Sequence, residues 1–441
     1  MNLQDRSADR EYEGMRMTTA TTPAMSFASL GIEATDGPHC IARQPILDLR
    51  GRAHAFKLQF RGGSGLGENG DPPSRTMVET AAIYKLQKPS EMKKLTGKMT
   101  AFVSCGAEAL SEQLAQVLPA SLTVLEITAI PALSPDLIVA CEGLKALGFR
   151  LALDDFEGQP EFEPLLKLAD YIQVDFAWTG PEKRRELFER MRGTTVVMLA
   201  KNLAAQAEYR QARDEGFTLF EGYYFCEPLT KRNRRPPANQ LLRIEILRAL
   251  QKSPLDLRQI SQLVKRDGPL TYQLLRLANS PLWAMRQEVQ SIQAALMAVG
   301  DDTFRRIATL AIAAEFNGDQ PAELLGMAMV RGRFCEVAGS ERDLEPFGQY
   351  LLGLLSLLPA MQGQPMSDLA PSLPLSHEIR EALMGNKNPE RALLGWLENC
   401  ERADWAGCDA AAKADGLNQR DLAKIYVDAV AWVEATMYSA G

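Results

Sequence analysis

The chain has 441 residues, 46% of them apolar and 24% charged, with a formal net charge of −7 at pH 7. That length and apolar content suit about two to three soluble domains, each with its own core. The acidic balance argues against a nucleic-acid binder with a generally basic surface, and no run of about 18 apolar residues offers a membrane-spanning helix.

Residues 1–37 are rich in Thr, Ser, Ala, Gly and charge. They read as a disordered leader. Charges such as Asp5-Arg6 and Asp9-Arg10-Glu11 interrupt them, so no signal peptide is expected. Seven cysteines are scattered along the chain without a C-x-x-C pair. With no secretion signal, that pattern suits a reducing cytoplasm and packed, inert thiols.

From residue 38 to 230, short apolar strands alternate with amphipathic helices. An opening hairpin at 41–61 precedes strands at 99–104, 122–128, 150–153, 171–174, 195–199 and 218–223. Helices at 135–147, 181–191 and 203–215 lie between them, and Gly148 and Gly216 stand where helix ends need a cap. Such units build a parallel sheet, here a barrel of the (β/α)8 kind with functional residues at the C-terminal strand ends. The glycine-rich stretch 61–67 is followed by Glu68, Asn69, Asp71 and Pro72-Pro73 and reads as a flexible loop.

Residues 231–237, a basic run ending in Pro236-Pro237, read as an interdomain linker. Beyond them the strand signal stops. Stretches at 241–250, 255–264, 270–279, 291–299, 303–315, 322–337, 349–358, 377–384 and 422–437 have helical periodicity, so residues 238–441 form a helical domain. The expected fold class is α/β followed by all-α.

Candidate chemistry gathers at the strand ends. Glu126, the pair Asp154-Asp155, and Asp175 each follow an apolar strand. One acidic residue there is ordinarily a loop residue or a helix cap, but several on one barrel rim converge. Hard carboxylate oxygens in that arrangement suit Mg²⁺ or Ca²⁺. The chain carries no G-x-S-x-G, P-loop or H-E-x-x-H motif.

These residues carry a resemblance. Ala42 to Asp48 with Gln44-Pro45, then Ala55 to Arg61, Leu125-Glu126-Ile127-Thr128, Asp154-Asp155-Phe156, Asp175, and Glu221-Gly222-Tyr223-Tyr224 with Pro228 together resemble the EAL domain of cyclic di-GMP phosphodiesterases. Arg266 to Leu270, Leu274 to Pro281, Val330 to Glu336 and Gly353 to Leu358 look like the HDOD domain. The order is that of two-domain EAL–HDOD signalling proteins.

Carried over residue by residue, the resemblance implies a damaged metal site. The motif glutamate is Lys57. The expected asparagine is Ser104, a second glutamate is Ala129, the water-activating lysine is Gln173, a later glutamate is Lys201, and the glutamine of the QG pair is Glu221. Glu126, Asp154 and Asp155 survive. A dication about 4 Å from one lysine is repelled by roughly 8 kcal/mol at an effective dielectric near 20. Metal-activated water is therefore expected to be absent, with Lys57 and Lys201 pairing the remaining carboxylates.

The expectation is a catalytically inactive, cytoplasmic regulator in cyclic di-GMP signalling, not an enzyme, meeting protein partners through its helical domain. No cofactor is expected; Mg²⁺ or Mn²⁺ enters only if the chain does hydrolyse. Neither nucleic-acid binding nor membrane insertion is expected. Two alternatives stay open: a non-hydrolysing cyclic di-GMP receptor using Arg61 and Asp175, against which the changes at Lys201 and Glu221 weigh, and a weak phosphodiesterase. The helical domain resembles the HD superfamily in shape, but its metals need several histidines. The chain has only His39, His54 and His377 and no His-Asp dipeptide, so that chemistry is excluded.

Overall fold

The computed structural model describes residues 40–61, 75–111, 114–127, 133–227, 239–280 and 288–438. The expected leader, the linker at 231–237, the glycine-rich stretch after Arg61, Ala129 and Pro228 lie outside the described residues.

Eight strands close a barrel: β1 (Cys40–Asp48), β2 (Ala53–Arg61), β3 (Thr100–Cys105), β4 (Thr123–Ile127), β5 (Arg150–Leu153), β6 (Tyr171–Asp175), β7 (Val197–Lys201) and β8 (Leu219–Glu221). Strands β2 to β8 run parallel, while β1 runs antiparallel to both β2 and β8. The antiparallel start follows from the short hairpin, which has no room for a crossover helix. Helices Pro135–Ala146, Pro181–Met191 and Gln206–Glu215 sit where the periodicity places them. Gly148 and Gly216, at φ +89° and +110°, end two of them in the conformation that glycine supplies cheaply.

Each strand contributes one side chain to a layer filling the barrel: Ile46, Ala55, Phe102, Val124, Ala152, Tyr171, Leu199 and Leu219. A larger apolar core wraps the outside, between strands and helices, and continues into the helical part.

The helical part runs from Gln240–Leu250 to Gln419–Tyr438. The stretch expected as one helix at 349–358 is two, Pro346–Leu355 and Leu358–Gln362. Pro359 lacks the N–H that would continue the first helix. Two helices absent from the sequence reading, Pro389–Glu401 and Trp405–Asp415, are present. Their caps are ordinary: Asn388 with Pro389 opens the first, and Asp404 accepts from the Gly407 N–H in the second.

The two parts meet along β1. A hairpin leaves that strand without a covering crossover helix, and helices Pro389–Glu401 and Gln419–Tyr438 cover it instead. Both faces of β1 are thus buried, including Arg43 and Gln44. Arg43 lies 3.5 Å over the Phe56 ring and pairs with Glu434. The Tyr223 hydroxyl and Gln44 Nε2 both donate to the Glu401 carbonyl, whose side chain is held by buried Arg331 at 2.7 Å. Among the described residues, no helix is long and apolar enough to cross a membrane.

Candidate functional site at the barrel mouth

Strand geometry assembles the site. Side chains alternate across a strand, so the residue two places beyond an inward one also points inward. Stepping two residues from the filled layer toward the C-terminal ends gives Lys57, Ser104, Glu126, Asp154, Gln173, Lys201 and Glu221. On reversed β1 the same step gives Gln44, which lies opposite Lys57. Eight positions, one from each strand and spread over about 180 residues of sequence, thus form one polar layer at the mouth.

Lys57 sits near its centre. Its ammonium lies 3.2 Å from Glu126 Oε1 and 3.7 Å from Glu221 Oε2, and donates to Gln173 Oε1 at 3.3 Å. Gln173 Nε2 in turn donates to Glu126 Oε1, and the Ser104 hydroxyl donates to Glu126 Oε2 at 2.9 Å. Burial would lower the Lys57 pKa, but the carboxylates of Glu126 and Glu221 outweigh it and raise it. The ammonium therefore stays charged.

Lys201 forms a second cluster, 2.6 Å from Asp154 Oδ1 and 2.7 Å from Asp155 Oδ1. Its pKa is likewise raised, Asp154 outweighing burial and the repulsion of Lys57. Asp155 and Asn202 follow β5 and β7 at φ +50° and +60°, a region these two residue types tolerate. That bend turns exposed Asp155 back toward Lys201. Burial raises the pKa of Glu221 against the pull of Lys57. Its Oε2 accepts no hydrogen bond, leaving Lys57 as its compensation.

Asp175 and Arg61 stand apart from the layer. Asp175 Oδ1 accepts from the N–H groups of Ala177 and Trp178, and its Oδ2 from Asn202 Nδ2 at 2.6 Å. Arg61 turns outward to Asp409 and Gln419 of the helical part.

A cavity of about 310 Å³ opens onto Lys57, Ser104, Asp154, Lys201 and Asn202, and its wall includes Trp405 from the helical part. Nothing in one sequence signals that Trp405 lies beside Lys57. The pairing depends on how the two parts pack.

The side chains present do not fit a divalent metal at Glu126. Mg²⁺ or Ca²⁺ needs oxygen ligands at about 2.0–2.6 Å, and the Lys57 ammonium occupies the space facing that carboxylate. Among the described residues, no group of three or more His, Cys, Asp or Glu side chains is placed to hold an ion. His377 is exposed at the first turn of its helix.

With the geometry in place, comparison with known proteins defines the class. Residues 237–344 match the HDOD domain. The chain is 28% identical over 401 residues to the Vibrio cholerae protein named cyclic di-GMP phosphodiesterase CdgJ, covering 89% of this chain and 91% of that one. It is 25% identical over 409 residues to YuxH of Bacillus subtilis, covering 90% of this chain and 98% of that one. Among solved structures, the EAL domain of Mycobacterium smegmatis DcpA aligns with 42% of this chain and 90% of its own, at 17% identity and a TM-score of 0.33. The chain is a two-part protein, a closed eight-stranded barrel followed by a helical region in which residues 237–344 match the HDOD domain.

One expectation is corrected by these comparisons. The chain was expected not to be an enzyme, on the strength of Lys57 and Lys201. A relative aligned over nine-tenths of its own length is named a phosphodiesterase, which overturns that expectation. Physically, two lysines report on the metal affinity of the positions they occupy, and turnover is a property of the whole mouth.

Proposed function

We propose that this protein is a signal-transduction regulator in cyclic di-GMP signalling, acting on a protein partner through its helical part. The layer of eight mouth side chains carries the reading. It is fully assembled, and its positive charge comes from Lys57 and Lys201. The name of the Vibrio relative supports the cyclic di-GMP link, and the HDOD match supports the second, helical module.

The test is calorimetric titration of cyclic di-GMP into the full chain, beside cross-linking to partners in the native cell. The expected result is a partner cross-linked to the helical part, at a level that changes with the cyclic di-GMP concentration of the cell. A cross-linking pattern indifferent to cyclic di-GMP would refute the reading. The name of the Vibrio relative favours a second reading, hydrolysis of cyclic di-GMP. Chromatography of the linear product with Mg²⁺ or Mn²⁺ tests it, and cleavage abolished by Asp154→Asn would make the barrel's part in the signal catalytic.

A further inference from the structure

The helical part contributes to the mouth cavity through the first turn of helix Trp405–Asp415. Trp405 is half-buried and lines the cavity together with Lys57, Asp154 and Lys201. One turn on, at the i+4 position and hence on the same helix face, Asp409 takes Arg61. The guanidinium Nη2 reaches both carboxylate oxygens, at 2.8 and 2.6 Å. Gln419 closes the triangle, accepting from Arg61 at 3.1 Å and donating to Asp409 at 2.8 Å.

Between its ends the helix packs on Pro389–Glu401 through Cys408 and Ala412, and the attachments before Trp405 and at Asp409 differ in kind. Behind Trp405, the Glu401 carbonyl is bonded to Tyr223 and Gln44, and its side chain is buried against Arg331. At Asp409 the pair is open to water, with side-chain exposures of 21% for Arg61 and 51% for Asp409. With a buried anchor at one end and a solvated ion pair at the other, a lift of the helix would break the ion pair and the small Cys408 and Ala412 contacts while leaving the anchor in place. Solvated pairs of this kind are weak.

We propose that helix Trp405–Asp415 is a lid on the barrel mouth, with Trp405 as its plug and the Arg61–Asp409 pair as its latch. Access to the Lys57–Lys201 layer is then gated by the helical part. The proposal rests on the reading of the mouth as the working site and adds how that site is regulated.

The test uses the full chain with Ser104→Cys as a reporter inside the cavity. Its reaction with a thiol reagent is followed peptide by peptide by mass spectrometry. Asp409→Ala is expected to speed labelling of residue 104 by about threefold, the loss of one solvated pair. Asp409→Glu is expected to restore the slow rate, and Trp405→Ala to speed it tenfold or more. Unchanged rates in Asp409→Ala and Trp405→Ala would overturn the lid. So would a rise shared equally by buried Cys105 and Cys335, which would report general loosening. Protection of residue 104 by cyclic di-GMP in the Trp405→Ala background tests the site reading separately. Its absence there would count against the mouth as a cyclic di-GMP site while leaving the lid result intact.

Discussion

Replacing Lys57 by methionine removes the central charge of the mouth while nearly keeping its volume. At an effective dielectric near 20, an ammonium 3.2 Å from Glu126 and 3.7 Å from Glu221 gains about 5 and about 4.5 kcal/mol of attraction. Burying the ammonium and both carboxylates costs several kcal/mol per ion, which offsets much of that gain. Removing only the cation leaves the carboxylates' desolvation in place with no compensating charge. Lys57→Met is therefore expected to lose about 3–5 kcal/mol of folding stability. The assay is denaturant unfolding of Lys57→Met, Glu126→Gln and the double variant. The double variant should recover part of the loss, with a coupling of about 2 kcal/mol or more. A Lys57→Met protein within about 1 kcal/mol of the parent, with no coupling to Glu126, would refute the claim that Lys57 neutralises the mouth.

Three further outcomes follow from the same geometry. Changing Lys57 and Lys201 together to glutamate gives the mouth a set of hard oxygens with no ammonium among them, and Mn²⁺ affinity should rise at least tenfold over the parent by calorimetry; equal affinities would count against the metal argument. Burial pushes Glu434 up to about 7 from 4.5, against the pull of Arg43. The native state then holds a proton that the unfolded chain has lost, so this group's contribution is flat below about pH 4.5, falls by about 3 kcal/mol as pH rises to about 7, and is flat above. Glu434→Gln should remove that segment of the stability–pH curve, and an unaltered curve would show that Glu434 does not titrate there. Gly222 has φ +142°, and a Cβ on it would run into the Leu203 backbone. Gly222→Ala is expected to cost at least about 3 kcal/mol in unfolding experiments, and a neutral substitution would refute the close approach.

The mouth layer was legible because it depends on local arithmetic. Once strands are located, the two-residue period carries Ala55 to Lys57 and Val124 to Glu126, and parallel register aligns them. Lys57 beside Glu126 and Lys201 beside Asp154 could thus be expected as pairs. The commitments of Arg61 and Asp175 were not legible. Asp175 bonds the turn that follows it, which depends on loop conformation. Arg61 points to Asp409, 348 residues away, which depends on docking. Helix Trp405–Asp415 escaped the periodicity reading because its sequence, rich in Ala with few large apolar residues, buries only Cys408 and Ala412. Its caps at Asp404 and Gly416 were the available signal.

That weakly amphipathic helix bears on how the two parts communicate. A helix held by a deep apolar stripe cannot shift without a large loss of burial, about 25 cal/mol per Å² of apolar surface. Helix Ala322–Ser340, buried along most of its length, is of that kind. Helix Trp405–Asp415 exposes most of its surface and is fixed mainly by its neighbour Pro389–Glu401, by Trp405 and by one solvated ion pair. Its displacement costs less than that of helix Ala322–Ser340, while Gln44, donating to the Glu401 carbonyl, keeps its root against β1. The hairpin that left β1 uncovered thus gave the helical part its seat on the barrel, and the helix next to that seat reaches the mouth. On the lid proposal, Trp405, which lines the cavity beside Lys57 and Lys201, is the point at which the mouth layer meets the helical part.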